Sequence, residues 1–215
     1  MRRGLVIFLF FLISTYGYSQ LMDSIKVALK SKPKITFRFD NRHSFVSTTK
    51  SKINAIKIGA EYAYVFRMGI GYNQLISNVE RKEVLRNDGI PYDTVNSSLK
   101  LWYLSFYSEY VFFRTKRWEF SVPLQLGAGY SKFNYTYNNE KFTNRRHFIA
   151  NYEAGITGHY KLIPGLGVGA GIGYQLMLID NPAINENFNT PIYSFKIKLF
   201  LGELYRLAMG KKEPE

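Results

Sequence analysis

Charged side chains recur at every second position in several stretches of this chain, and they are the first candidates for chemistry. Arg38, Asp40 and Arg42 form one such run, and Lys57 with Glu61 a second. Glu109, Glu119 and Glu153 each put an acid into an otherwise apolar stretch. His159 and Lys161 follow Glu153 on the same parity, and Lys196 with Lys198 closes the series. Acids and bases gathered away from water can form a structural ion-pair network, carry ions or protons, or act as a catalytic cluster. Acyl transfer needs a nucleophile, a histidine and a carboxylate within reach of one another. The chain has 3 histidines, His43, His147 and His159. His43 adjoins Ser44, but neighbours on a strand point to opposite faces. His147 follows Arg145 and Arg146 at the edge of a polar stretch, where a solvated position is expected. No H-x3-H or C-x2-C metal spacing occurs. The expectation is therefore no catalytic residue, no metal and no cofactor. Arg38, Asp40, Lys57, Glu61, Glu109, Glu119, Glu153, His159, Lys196 and Lys198 are expected to form a structural interior network, with a gated ion path as the sharper alternative.

A second candidate is the glycine-rich stretch at 166–178, LGVGAGIGYQLML. Gly165, Gly167 and Ala170 loosely fit a dinucleotide-binding fingerprint, which needs a strand before it and a helix after it. Pro164 precedes and further apolar alternation follows, so the nucleotide reading lacks its context. A period of two marks a strand. Leu166, Val168, Ala170, Ile172, Tyr174, Leu176 and Leu178 share one face; Gly167, Gly169, Gly171, Gly173 and Gln175 share the other.

The elements that must position these residues repeat the same rhythm. Eight alternating segments are legible, at 34–45, 52–66, 68–78, 98–112, 118–137, 147–162, 166–180 and 192–201. Each has one apolar face, such as Ile56, Ile58, Ala60, Tyr62 and Tyr64 in the second. The other face is polar, charged or glycine. Short links are expected at Arg67, at 114–117 and at 163–165, and longer polar links at 46–51, 79–97, 138–146 and 181–191. Short turns at one end and long links at the other describe an up-and-down meander between two compartments.

The apolar face sorts its aromatics by height. Tyr64, Phe66, Tyr110, Phe112, Trp118, Phe120 and Tyr160 flank the short turns, and Trp102, Tyr130, Phe148, Tyr174 and Tyr193 lie near the long links. Ile56, Ile58, Leu104, Leu124, Ile156, Val168, Ile172 and Leu199 lie between them. Two aromatic girdles around an aliphatic belt suit a bilayer. The glycine columns at 69/71, 127/129 and 167/169/171/173 then face inward and leave room for long interior side chains. The fold expected is all-β, an eight-stranded antiparallel up-and-down transmembrane β-barrel with a filled polar interior; a soluble lipocalin-like barrel of inverted polarity is the alternative.

The ends and the composition agree with export. Arg2 and Arg3 precede an apolar run at 5–13, and a cut after Ser19 makes 1–19 a signal peptide. That run is shorter than the roughly 20 residues of a spanning helix. Residues 20–33 read as a short periplasmic leader, with a possible helix capped at Asp23-Ser24 carrying Ile25, Ala28 and Leu29. The barrel occupies 34–203, and 204–215 form a basic periplasmic tail. The absence of cysteine excludes a disulfide framework. A net charge of +13 is scattered rather than clustered, which favours outer-membrane lipid and lipopolysaccharide over nucleic acid as partner.

Through alternation and loop rhythm over nearly the whole mature chain, the sequence resembles the small eight-stranded bacterial outer-membrane barrels of the OmpA/OmpX-like kind. The stretches Phe39-Asp-Asn-Arg-His-Ser-Phe45 and Tyr110-Val-Phe-Phe-Arg-Thr-Lys-Arg-Trp-Glu-Phe120 are similar to a family of uncharacterised outer-membrane barrels. Many such barrels end on an aromatic that the assembly machinery reads. Here the last strand ends near Leu201, leaving Phe200 or Tyr205 as internal candidates. The resemblance implies a structural or surface-interaction protein of a Gram-negative-type outer membrane, expected to be monomeric; eight strands argue against a wide pore, which needs about 16. A loop adhesin or an accessory of a secretion or assembly machine is the runner-up; a lipid A-modifying enzyme ranks lower.

Overall fold

The structure, a computed structural model, describes residues 20–46, 49–87, 90–144, 146–163, 165–181, 189–201, 204–205 and 209. Ten strands follow in chain order: β1 (Lys34–Val46), β2 (Thr49–Tyr62), β3 (Phe66–Leu75), β4 (Glu80–Asn87), β5 (Ile90–Arg114), β6 (Trp118–Tyr137), β7 (Glu140–Thr143), β8 (His147–Ile163), β9 (Leu166–Ile179) and β10 (Thr190–Phe200). All pairings are antiparallel. Eight of these strands close into a ring in the order β1-β2-β3-β5-β6-β8-β9-β10, with β10 back against β1. A closed ring satisfies its own backbone polar groups, the condition for a sheet to lie in hydrocarbon.

The remaining two strands correct the sequence reading. The links at 79–97 and 138–146 read as polar loops in the sequence, but the first is largely strand and the second holds a short one. β4 pairs with the first part of β5, from Glu80↔Ser98 to Asn87↔Ile90. β7 folds back on the end of β6, from Tyr137↔Glu140 to Asn134↔Thr143. Because β5 and β6 are paired at Ser97↔Tyr135, the two hairpins join into one sheet standing above the ring. Asn138 and Asn139 take left-handed φ values of 48° and 66°, which a two-residue hairpin turn needs and asparagine tolerates. The link at 46–51 is also shorter than expected, since Val46 pairs directly with Thr49; residues 47 and 48 lie outside the described residues.

At the opposite end the turns are tight. The one between β2 and β3 is Ala63–Tyr64–Val65, with Val65 N–H donating to the Tyr62 carbonyl at 2.9 Å. Arg67, expected as that link, is instead the second residue of β3. Gly165 turns β8 into β9 with φ +90°. The leader is helical over 20–29, so Asp23 and Ser24 fall within the helix and not at its cap. The signal peptide expected at 1–19 and most of the tail at 204–215 lie outside the described residues.

Alternation sorts the two faces. Along β3 the inward positions Arg67, Asn73 and Leu75 are buried, while Ile70 and Tyr72 are exposed. Two glycines show why the interior can hold large side chains. A Cβ at Gly127 would stand 2.6 Å from the Tyr103 ring, and one at Gly69 would stand 2.9 Å from the Tyr107 ring. Both tyrosines cross the lumen fully buried, and only a bare strand lets them lie so close.

Candidate functional site

The lumen is built in three layers, each set by strand register. Nearest the short turns, direct rungs of the ladder put opposite charges side by side. Glu61 pairs with Arg67 across β2 and β3, and Arg67 with Glu109 across β3 and β5. Arg67, 0% exposed, spreads its guanidinium over three carboxylates: Nε donates to Glu61, Nη1 to Glu109 at 3.0 Å and Nη2 to Glu119. Arg38 pairs with the other oxygen of Glu109. Lys198 Nζ lies 3.2 Å from Glu61 and 3.3 Å from Glu119. Ser121 donates to Glu109 at 2.6 Å. Three cations thus meet three anions, and hydrogen bonds supplement the ion pairs, the condition under which buried charge is tolerated.

The middle layer holds Asp40 with Lys57 at 2.8 Å, Arg42 with Glu153 and Asn73, and Lys196 donating to the Thr157 hydroxyl at 2.8 Å. The Tyr107 ring lies 4.6 Å from the Arg38 guanidinium and 5.4 Å from the Lys57 ammonium, a cation–π arrangement that shares the tyrosine between both. The upper layer is apolar. Ile53, Leu75, Val79, Leu99, Leu101, Tyr103, Phe133 and Ile149 form a buried cluster against which Met177 packs. The Arg81 guanidinium lies 4.4 Å over the Phe133 ring at its top.

All ten side chains singled out from sequence, Arg38, Asp40, Lys57, Glu61, Glu109, Glu119, Glu153, His159, Lys196 and Lys198, are buried in this lumen. The structure brings Arg38, Glu61, Glu109, Glu119, His159 and Lys198 into the lower layer and Asp40, Lys57, Glu153 and Lys196 into the middle one. The three histidines stay apart. His43 stacks on Tyr193 at 5.1 Å, and His147 sits at the start of β8. His159 Nδ1 is 3.8 Å from Glu119. Ser121 gives its proton to Glu109 and not to His159, so no serine–histidine–acid relay forms there. Donor atoms of Glu109, Glu119 and His159 do lie within 4.8 Å of one another, a spacing a metal ion could use. Both carboxylates are already neutralised by Arg38, Arg67 and Lys198.

Sequence reasoning misses two features. Arg67, the hub, reads as a turn residue, although it keeps the inward phase of Gly69, Gly71 and Asn73. The apolar cap stays hidden because Ile53, Leu99, Leu101, Phe133 and Ile149 occupy inward positions where a polar residue is expected.

The outside is the inverse of the inside. Ile70, Leu104 and Ile172 are 63%, 61% and 72% exposed, with Ile56, Leu126, Ile156 and Ile197 also bare. Rings border this belt above and below. Tyr72, Trp102, Tyr130 and Phe148 form a chain of neighbours at centroid distances of 6.3, 5.8 and 5.9 Å. Trp118 and Tyr160 meet at 4.9 Å at the short-turn end, with Phe113 and Phe120 at 5.9 Å. In water such a belt would be a large aggregation surface. An ion-paired interior within an apolar, aromatic-bordered exterior makes the chain a transmembrane β-barrel of the outer-membrane type.

No protein-family model matches the chain, and no curated protein matches it. Among solved structures, it is similar to a major outer membrane protein from Thermus thermophilus, with a TM-score of 0.49 at 10% identity over 77% of this chain and 98% of that one. Neisserial surface protein A gives a TM-score of 0.47 at 12% identity, covering 78% of this chain and 96% of that one. Ail, the attachment invasion locus protein of Yersinia pestis, gives 0.41 at 13%, covering 77% and 94%.

Proposed function

We propose that this chain is an exported, monomeric outer-membrane protein that works through its outward-facing surface and not as a wide pore or an enzyme. The observation that carries this reading is the filled lumen, ion-paired in its lower and middle layers and capped by Leu99, Leu101, Phe133 and their neighbours. A diffusion pore needs about 16 strands. What stands free is the sheet of β4, β5, β6 and β7 above the rim, with exposed Lys82 and Lys141 among its cations. Its partner on this reading is outer-membrane lipid and lipopolysaccharide. Lys100 faces Lys132 directly across β5 and β6, one outward rung above Trp102 and Tyr130. Like charges placed opposite each other repel, and an anionic head group at that height relieves the repulsion. Residues 1–19 then direct export, and 20–33 and 204–215 lie on the periplasmic side.

Two measurements test the reading. In isolated outer membranes, the protein is expected to migrate differently on a denaturing gel before and after boiling, as a closed barrel does. Recovery in the soluble fraction without a heat shift overturns the location. Deleting residues 81–93, which removes Arg81, Lys82 and Arg86 and keeps the Lys100–Lys132 rung, is expected to preserve that heat shift while weakening binding to lipopolysaccharide-coated surfaces. Unchanged binding sinks the role given to the raised sheet.

A further inference from the structure

The charges of the lumen do not balance, and the excess has an address. Among the described residues, six cationic side chains are buried there (Arg38, Arg42, Lys57, Arg67, Lys196 and Lys198) against five acidic ones (Asp40, Glu61, Glu109, Glu119 and Glu153). The lower layer is even, since Arg38, Arg67 and Lys198 meet Glu61, Glu109 and Glu119. In the middle layer Arg42 takes Glu153 and Lys57 takes Asp40. Lys196 is left over. It is 6% exposed, its Nζ donates to the neutral Thr157 hydroxyl at 2.8 Å, and it forms no salt bridge among the described residues. Asp40 is its cross-strand neighbour on β1, and the one ion pair of that carboxylate among the described residues goes to Lys57.

Lys196 lines a cavity of about 40 Å³ together with Lys57, Thr157, Ser194 and Gln125. Gln125 is 5% exposed, and neither its amide nitrogen nor its amide oxygen finds a partner among the described residues. A buried donor without an acceptor is costly, and a buried ammonium without a counter-charge more so. We propose that this chamber binds one small monovalent anion of the halide class, chloride in the periplasm and outside the cell. Lys196 supplies the countercharge, and the Gln125 amide and the Ser194 hydroxyl supply donors. The excess of a single positive charge sets the valence. The volume sets the size: it holds about one to three water-sized species, too few for sulfate or a phosphate ester with its shell. The acids Asp40 and Glu153 on the same wall pair with Lys57 and Arg42; each keeps a carboxylate oxygen without a hydrogen-bond partner among the described residues, and the net charge of the lumen is still positive by one. The ion-pair layer lies below the chamber and the apolar cap above it, and an anion that binds only the closed barrel stabilises the fold.

The test uses the full mature chain refolded into detergent micelles at constant ionic strength, in sodium chloride or in sodium gluconate, whose anion is too large for the chamber. The readout is the temperature at which the folded gel band is lost. Chloride is expected to raise that midpoint by at least about 3 °C in the wild type, and bromide to do the same. Lys196→Met, which keeps the length of the side chain and removes its charge, is expected to abolish the chloride dependence. If Lys196→Met does not fold, Gln125→Leu replaces it, with a reduced chloride dependence expected. Crystals grown in bromide are expected to show an anomalous peak in contact with Lys196 Nζ. Equal midpoints in chloride and gluconate for the wild type, or a chloride effect unchanged in Lys196→Met, overturn the proposal.

Discussion

Arg67 shows what one side chain can organise. It sits on the second rung of β3, is fully buried, and serves Glu61, Glu109 and Glu119 from one guanidinium. The planar fork lets it donate in three directions at once, which a lysine ammonium on a flexible stem does with less geometric fidelity. Replacing it with methionine leaves three acids facing Arg38 and Lys198. Removing one partner of a buried pair costs about 3–5 kcal/mol, because the charge left behind has neither water nor counter-ion. Arg67→Met is therefore expected to lower the unfolding free energy of the refolded barrel, measured by urea titration, by an amount of that order. Adding Glu109→Gln to it should restore part of the loss, since the uncompensated charge is then gone. By contrast, Lys116 lies exposed in the β5–β6 turn, and its replacement by alanine is expected to shift stability by less than about 0.5 kcal/mol. A double-mutant cycle that finds Arg67 and Glu109 additive would show that the hub is not a coupled unit.

At the scale of the strand, stability depends on pairing a large inward residue with a bare neighbour. Gly127 on β6 stands under Tyr103 of β5, whose ring would lie 2.6 Å from any Cβ placed there. The Asn151 side-chain oxygen lies closer still to that Cβ, so Gly127→Val is expected to remove the folded band on an unboiled gel, and Tyr103→Ala with Asn151→Ala in the same chain to bring it back by vacating that space; no recovery would place the defect in the backbone instead. The same facing of small and large explains how much of the fold is readable from sequence. All eight ring strands are legible because lipid on one side and a lumen on the other impose a period of two along 10 or more residues. β4 and β7 are not legible, for a physical reason. They stand above the rim with no lipid on either side, so nothing forces Glu80–Asn87 into apolar–polar alternation. The ten interior side chains are legible because parity carries them inward. Their partners are not, because pairing depends on register across strands, and register places Arg67 beside both Glu61 and Glu109. The upper parts of β2, β5 and β6 also hide their inward face: Ile53, Leu99, Leu101 and Phe133 point inward while Asn54, Lys100 and Lys132 take the outward parity, so the polarity that marks the lumen lower down is reversed there.

The whole molecule is arranged by height, and that order bears on transport. An ion travelling along the axis from the short-turn end would meet the Arg67 hub, then the chamber beside Lys196, then the cluster of Ile53, Leu99, Leu101, Phe133 and Ile149. The first two layers are polar and could be rewetted by small rearrangements. The third is lined chiefly by apolar side chains, its buried Ser131 and Asn181 being hydrogen-bonded to each other, and apolar constrictions gate by dewetting. The cap, not the ion pairs, is therefore the dominant barrier. Wild-type protein in planar bilayers is accordingly expected to be silent or nearly so. Leu99→Ser with Leu101→Ser shortens two successive inward side chains and adds hydroxyls, so water can enter from above. That double variant is expected to show discrete conductance steps that the wild type lacks, with its heat-shifted gel band retained. Because the chamber beneath carries an excess positive charge, the new current should favour anions over cations, and Lys196→Met in the same background should weaken that preference. If the variant stays silent while neutralising the hub opens a current, the barrier lies in the ion pairs, and the ranking of the layers is reversed.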